Sequence, residues 1–505
     1  MSTRPKLKPS WIPIVIGGGV ALLTAASGIL GALAPEEDKS PIQRVVFLNI
    51  PSPVRAIFYA ILTVLFIAVG WLFAQRVQNW ERGQPDNRRT TTKNVKRRTR
   101  DFRAGVYMQT LLRDPAAGVM HSLIYFPFLI LFAVTTVDEV NHVLPKGAKF
   151  LHGGVYQGYS LVAEVAGVLF LVGIFWAIGR RYIQRPYRLR IKTKPEDAVI
   201  LATFAIIGIT GFVTEALRIS LMGRPAYEKW SVIGYPLSAA FDGMSHGALS
   251  TTHQAVWLAH FLGFVTFLVI LPITKLRHMV TSPLNMYLHD RDRPKGAMKP
   301  LPNMMETELE SFGANAIEDF TWKQLLDTDA CTICGRCTSV CPAHATGKPL
   351  DPREIVTKIG NVMSATHPGG PVSPVIGQDA ELTITANSVF ERISAEEIWA
   401  CTSCKACDEI CPVDIEILDK ILDMRRYLSL MESNFPTELG NAYRAMENQE
   451  NPWALNQAER ADWAKALPDE VPVISGSGPF DHEYLFWVGC AGSFDDRAKK
   501  IAVAT

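Results

Sequence analysis

Two stretches, CTICGRCTSVCP at 331–342 and CTSCKACDEICP at 401–412, each set four cysteines in the spacing C-x2-C-x2-C-x3-C-P. Two-residue gaps let three thiolates of one tight turn hold three corners of an iron-sulfur cube. The fourth cysteine, carried away on a helix start, reaches the other cube. The spacing therefore assigns one 4Fe-4S cluster to Cys331, Cys334, Cys337 and Cys411, and a second to Cys401, Cys404, Cys407 and Cys341. C-x2-C pairs also bind structural zinc, but eight cysteines in two copies that both close on Cys-Pro favour iron-sulfur chemistry. The motifs stand about sixty residues apart. The insert and its flanks (PREIVTKIGNVM, ISAEEIWA, ILDKILDMRRYLSLM) carry helical spacing, so an α-helical di-cluster ferredoxin is expected.

Histidine, the other iron-binding residue type, gathers upstream in apolar sequence. A cluster pair beside such sequence needs an acceptor inside the membrane, and haem held by imidazole is the usual one. In HQAVWLAHFLGFVTFLVILPITKLRH, His260 and His278 are 18 residues apart, which on one helix puts both on the same face about 27 Å apart. His121 and His142 lie 21 residues apart in an earlier apolar run, about 32 Å on a continuous helix and rotated by about 60°. Pairing by depth gives His121 with His278 for an inner b haem and His142 with His260 for an outer one. His152 or His253 can stand in for His142, while His246 reads as an interfacial residue and His289, His344, His367 and His482 as ordinary ones.

Ionisable side chains inside apolar spans are functional by default. Glu164 and Glu215 are candidates for delivering protons to a quinone, and Arg218 for pairing with a haem propionate. The alternative is a Glu215–Arg218 ion pair that only fixes packing.

These residues need a scaffold, and the composition supplies one. Of 505 residues 48% are hydrophobic and 20% charged, with a net charge of +2, a balance that speaks against a purely soluble or nucleic-acid-binding protein. Six runs, 11–33, 53–75, 118–138, 156–178, 197–220 and 253–274, are long enough to cross a bilayer of about 30 Å. The first follows the basic MSTRPKLKPS but, at about 23 residues, is too long for a signal-peptide core and reads as a retained helix. The loops after runs two and four (NRRTTTKNVKRRTRDFR and RRYIQRPYRLRIKTK) are strongly basic, which puts them, and both termini, on the cytoplasmic side. Beside membrane helices such charge sets topology and meets lipid head groups; no nucleic-acid partner is expected. All nine cysteines lie beyond residue 330, on that same reducing side, where clustered thiols bind metal more often than they form disulfides.

The span-six histidines resemble those of the cytochrome b subunit of respiratory nitrate reductases. The stretch from HSLIYFPFLILFAVTT to PITKLRHMVTSPLN is similar to that domain as fused in membrane-bound iron-sulfur oxidoreductases, and FTWKQLLDTDACTICGRCTSVCPAHATGKPLDPREIV resembles their heterodisulfide-reductase-like ferredoxin region. The likeness covers roughly residues 50 to 430. It implies transfer of electrons from acyl-CoA oxidation, delivered by electron-transfer flavoprotein or a similar soluble flavoprotein, through two 4Fe-4S clusters and one or two b haems to menaquinone. Two other readings stay open: a quinol-linked reductase of a heterodisulfide or sulfur substrate, and an electron-conducting membrane subunit with no substrate site of its own. The sequence departs from the family twice. Third-span histidines of the nitrate reductase subunit are ten apart, and Leu131 stands at the matching position here. The family also continues into cysteine-rich CCG domains that can hold a further cluster; YLFWVGCAGSFDD resembles the start of one, with Cys490 as a possible ligand after an apolar strand, or else as a plain buried thiol.

The expected architecture is mainly α: a six-helix membrane cytochrome b bundle followed by an α-helical di-cluster ferredoxin domain. Its parts are an N-terminal helix and outer loop (1–50), the cytochrome b domain (51–290), a linker (291–310), the ferredoxin (311–435), a second linker (436–483) and the start of a CCG domain (484–505). A multi-pass protein of the cytoplasmic membrane, with its iron-sulfur domain inside the cell, is the expectation.

Overall fold

The structure, a computed structural model, describes residues 8–33, 42–86, 91–92, 94–190, 192–289, 293–294, 296–368, 387–474 and 481–505. Among these residues it is built of helices, with two isolated bridges, Gln43 to His152 and Gln84 to Thr321, in place of any sheet. Of the basic loop after the second span, Arg88, Arg89 and Lys93 lie outside the described residues. The chain divides into one unit of residues 1–424 and another of 425–505.

Six helices are long and apolar enough to cross a membrane. They are α1 (Trp11–Leu33), α2 (Ser52–Glu81), α4 (Pro115–Val143), α5 (Gly153–Ile178), α6 (Pro195–Leu221) and α7 (His246–Ile273), with a short basic α3 (Val95–Val106) between the second and third. Local signals set their starts. Pro115 occupies the first turn of α4, where its missing N–H costs nothing, and the Asp114 carboxylate accepts from the Ala117 amide at 3.3 Å. Ser245 caps α7 in the same way through the Ala248 amide. α1 and α2 cross at two glycines: a Cβ on Gly17 would lie 2.9 Å from the Gly70 Cα, so the backbones touch as small-residue membrane crossings do. Phe170, Ile174, Phe204, Phe261 and Phe267 fill the core of the bundle. Large apolar side chains such as Leu22 (74% exposed) and Val64 (65%) point outward, as a lipid-facing surface requires.

The sixth span departs from the expected continuous helix. α7 ends at Ile273, just after Pro272; Thr274 is extended, a 3-10 turn follows over Lys275–Arg277, and His278 opens a separate helix, α8 (His278–Leu288). The Thr274 side chain caps this restart by accepting from the Leu276 amide. His260 and His278 therefore do not share one helix face, and the five-turn spacing argument does not hold. α4, by contrast, runs unbroken through both His121 and His142, as expected.

Four short helices frame the cysteines: α9 (Trp322–Ala330), α10 (Arg336–Val340), α11 (Pro352–Ala365) and α12 (Ala406–Ile410). Thr321 and Gln324 form a capping box at the start of α9. Its end is pinned to the membrane helices at Asp329, whose carboxylate receives Trp80 Nε1 at 2.8 Å and lies 2.9 Å from Arg277 Nε and 3.5 Å from Arg76 Nη1.

In the second unit, the stretch expected as a linker holds helix Thr437–Gln449 and a 3-10 segment, Gln457–Ala466. The apolar run before Cys490 forms no strand; a strand needs a ladder partner, and none is present among the described residues. Cys490 sits instead in helix Gly489–Phe494, with both Arg460 Nη atoms 3.6 Å from its sulfur.

Candidate functional site

The two cysteine loops repeat one backbone path. In the first, Ile333 (φ 56) and Gly335 (φ 71) are left-handed; in the second, Ser403 (φ 57) and Lys405 (φ 62) take the same places. Residues other than glycine rarely adopt this conformation, yet Ile333, Ser403 and Lys405 hold it, so the two loops coil at the same places. After each loop comes a five-residue helix, α10 and α12, and these pack on one another. That packing brings the end of each copy toward the other.

One consequence is visible directly: Cys331, Cys334, Cys337 and Cys411 line a single cavity, with Arg336, Arg353, Val356 and Ile415 among its other walls. That cavity thus gathers the three cysteines of the first loop with the last cysteine of the second. Burial pushes the Cys331 thiol up to about 12, and Cys337 and Cys411 are raised well above the ordinary thiol value by burial and then by neighbouring Cys334 and Cys331. Thiols so placed need a cation to ionise. Among the described residues no three His, Cys, Asp or Glu side chains are grouped as ligands of one metal ion. A wall of four separated thiols suits a cube, whose corners are different irons. In the other set Cys341 and Cys407 are buried and Cys404 is exposed. The Cys407 sulfur lies 3.6 Å from Asp408 Oδ1, a carboxyl that burial lifts to about 6. Cys401 accepts from the Ser403 amide at 3.4 Å.

The first cavity rests on the segments that carry His121 and His278. On the α8 side, the Thr281 hydroxyl donates to the Asp329 carbonyl at 2.9 Å and Ser282 to the Ala330 carbonyl at 3.1 Å, just before Cys331. Asn285 donates to the Val413 carbonyl, two residues past Cys411. On the α4 side, Thr110 donates to the Pro412 carbonyl at 3.1 Å, and Arg336 reaches back to the Thr110 and Leu111 carbonyls at 3.2 and 2.8 Å.

His121 and His278 face one another with ring centroids 6.4 Å apart and planes inclined at 59°. An iron bonded to one nitrogen of each ring at about 2 Å would fill a gap of this size. His278 Nδ1 is engaged by the Lys275 carbonyl at 2.6 Å, which leaves Nε2 free, the usual arrangement of a ligating imidazole. His121 Nδ1 is buried without a partner. These residues fit a haem between them.

The outer candidates have separate neighbours. His260 Nδ1 meets the Ile207 carbonyl and Thr210 Oγ1, each at 3.1 Å. His142 packs edge-on against Phe47, and its Nε2 lies 2.9 Å from where a Cβ on Gly31 would sit. Phe47 also touches Trp257, one turn before His260. His253 is buried with Nδ1 unpartnered; His152 and His246 are exposed.

Glu164 and Glu215 meet at the loop after α6. Glu164 accepts from the Ile233 and Gly234 amides at 2.7 and 3.1 Å, Glu215 accepts from the Ser231 hydroxyl at 3.0 Å, and a Cβ on Gly234 would press on both carboxylates. Arg218 is engaged by a residue the sequence reading missed. Its guanidinium forks onto buried Glu228 at 2.7 and 3.2 Å, and Tyr156 closes the group. Glu215 stands 3.8 Å from Arg218. The charge expected for a propionate is thus already paired. Glu228 lies outside the apolar spans, where only a buried partner could have marked it.

Residues 144–293 match the family described as nitrate reductase gamma subunit, and residues 330–416 the 4Fe-4S dicluster domain. The chain is 34% identical over 423 residues to the EtfAB:quinone oxidoreductase of Syntrophomonas wolfei, covering 78% of this chain and 57% of that protein. It is 32% identical over 425 residues to the probable iron-sulfur-binding oxidoreductase FadF of Bacillus subtilis, with 78% and 59% covered. A probable membrane-anchored ferredoxin of Chromohalobacter salexigens is 36% identical over 222 residues, 42% of this chain and 30% of that one. The chain thus spans less than two thirds of the first two relatives. No solved structure matches it.

Proposed function

For a chain that joins a nitrate-reductase-gamma-like membrane region to a 4Fe-4S dicluster domain and is related to membrane-bound iron-sulfur oxidoreductases, we propose electron transfer from a soluble flavoprotein, of the electron-transfer flavoprotein kind, to menaquinone. The clusters and b haem, when bound, supply the one-electron carriers that link a two-electron flavin to a two-electron quinone. Cys331, Cys334, Cys337 and Cys411 would hold the cluster nearer the membrane; Cys401, Cys404, Cys407 and Cys341 would hold the other, where exposed Cys404 faces an arriving donor. His121 and His278 would hold the inner haem, with the Lys275 carbonyl fixing the His278 tautomer. His260, with His142 or His253, is the candidate for an outer haem. Glu164 and Glu215, held side by side against Gly234, are the candidates for proton delivery to quinone. The basic loops favour the cytoplasmic membrane with the iron-sulfur region inside. Cys490 is a candidate ligand of a further cluster.

The observation that carries this reading is the 6.4 Å imidazole pair on segments that also clamp both flanks of the first cysteine cavity. Mixing the detergent-purified chain with a reduced electron-transfer flavoprotein tests it. Cluster bleaching is expected first, then haem reduction, then reoxidation by a menaquinone analogue. Quinol-driven disulfide reduction with no response to any flavoprotein would overturn it. The likeness to a membrane-anchored ferredoxin favours one other reading, a conducting subunit whose substrate site lies on a partner.

A further inference from the structure

The two cysteine sets differ in the charged side chain nearest their sulfurs. The cavity formed by Cys331, Cys334, Cys337 and Cys411 is lined by two guanidinium groups, Arg336 and Arg353, and by no carboxylate. Arg353 is held by Asp351 at 2.8 Å, which offsets its charge. Arg336, only 3% exposed, donates to carbonyls and forms no ion pair among the described residues. Arg336 is therefore a buried cation on the cavity wall with no direct ion pair among the described residues, Asp114 acting on it only from further off. The other set has an acid instead: Asp408 Oδ1 is 3.6 Å from the Cys407 sulfur. That carboxylate is fixed in place, since it accepts from the Ile417 and Leu418 amides at 2.7 and 3.1 Å.

A positive charge beside a cluster favours the form with one more electron, and a negative charge disfavours it, more strongly where water is excluded. We infer that Arg336 and Asp408 set a potential step between the two clusters, making the cluster beside His121 and His278 the better electron acceptor and directing electrons from the set that carries exposed Cys404 toward the membrane. This rests on the iron-sulfur reading above. It adds a physical cause for the order of the two clusters along the direction already proposed, which the cysteine spacing does not supply. Arg336 acts here as a positioning residue for charge: it holds no iron and touches no substrate.

The test is an EPR-monitored redox titration of the full chain in detergent, with Arg336→Gln, Arg336→Lys and Asp408→Asn. The wild-type chain should show two midpoints. Arg336→Gln should lower the higher one enough to change the equilibrium between clusters at least tenfold, about 59 mV for one electron, and leave the other in place. Arg336→Lys should restore most of the shift although Gln does not; both keep N–H donors for the Thr110 and Leu111 carbonyls, so a purely structural role would treat them alike. Asp408→Asn, which keeps the oxygen that accepts from Ile417 and Leu418, should raise the lower midpoint. It decides the matter alone if Arg336→Gln sheds its cluster. Unmoved midpoints, or Arg336→Gln acting on the lower-potential cluster, would overturn the inference while leaving the clusters themselves standing. A wild-type chain without iron would overturn this inference and the function beneath it.

Discussion

The Thr281 hydroxyl donates to the Asp329 carbonyl at 2.9 Å, three residues after His278 and two before Cys331. This bond ties a proposed haem ligand to a proposed cluster ligand through a few covalent links. Asn285, one turn further along α8, does the same for the segment after Cys411. α8 is therefore the joint between the two parts of the path.

Loosening that joint should slow the step across it and spare the rest. Each neutral hydrogen bond here contributes about 1 kcal/mol. Thr281→Val with Asn285→Ala is expected to keep all the iron and the haem, and to keep the rate of cluster reduction by flavoprotein, while haem reduction falls several-fold in stopped-flow traces. An unchanged haem rate would show that the joint is not on the path.

Replacement of the proposed haem ligands gives a sharper outcome. His278→Ala or His121→Ala should remove one low-spin b-type signal and stop quinone reduction with cluster iron unchanged, because an imidazole left opposite an empty gap cannot hold the iron alone. His260→Ala should remove a different haem or leave the spectrum as it was. Full haem content in His278→Ala would refute the pairing.

The parts of this arrangement that a sequence reveals are those with short range. Cysteine spacing marks the 4Fe-4S dicluster region because three ligands come from one turn, and apolar run length gives six spans because the bilayer fixes a length. The same reasoning failed at Thr274, where an extended residue and a side-chain cap end a helix that hydropathy would carry on to His278. It also missed Glu228, since the partner of Arg218 depends on how a polar loop folds back on the bundle. The meeting of His121 with His278 survived only because both stand at the same end of the bundle.

The proposed crossed ligand pattern predicts a crossed mutant pattern. Cys341→Ser should injure the cluster otherwise held by Cys401, Cys404 and Cys407, and Cys411→Ser the one held by the first loop, as read by EPR and by about half the iron of the intact chain. Damage confined to each mutated motif's own cluster would invert the assignment.

Asp327 anchors the ferredoxin core. It sits between Lys323, 2.7 Å away, and Lys420, with all three side chains fully buried. Burial pushes the carboxyl up, but the two ammonium groups outweigh it and hold it below its ordinary value. A depressed folded value means that the stabilisation is present above the unfolded value of about 4 and is lost as pH falls through the lower folded one. Lys420→Met should destabilise by about 3–5 kcal/mol in urea titrations at pH 7. Its stability should also depend less steeply on pH below 4 than that of the parent.

Gly335 offers the most selective test of the loop geometry. It is left-handed at φ 71, and a Cβ there would lie 3.0 Å from Arg353 Nη1 and 3.1 Å from the Arg188 carbonyl oxygen. Backbone freedom and space are both required, for Arg353 is itself locked onto Asp351 and the Arg188 carbonyl. Its counterpart in the second loop, Lys405, bears a full side chain at nearly the same angle, and its ammonium reaches the Ala297 carbonyl at 2.8 Å. Gly335→Ala should therefore lose the cluster of Cys331, Cys334, Cys337 and Cys411 while keeping the other, leaving a chain with about half its iron that accepts electrons from flavoprotein but passes none to haem. Lys405→Gly should relieve about 1 kcal/mol of left-handed strain and keep both clusters. Equal loss of both clusters in Gly335→Ala would mean that the two loops fold as one unit, and that the space beside Arg188 and Arg353 is not what makes glycine necessary.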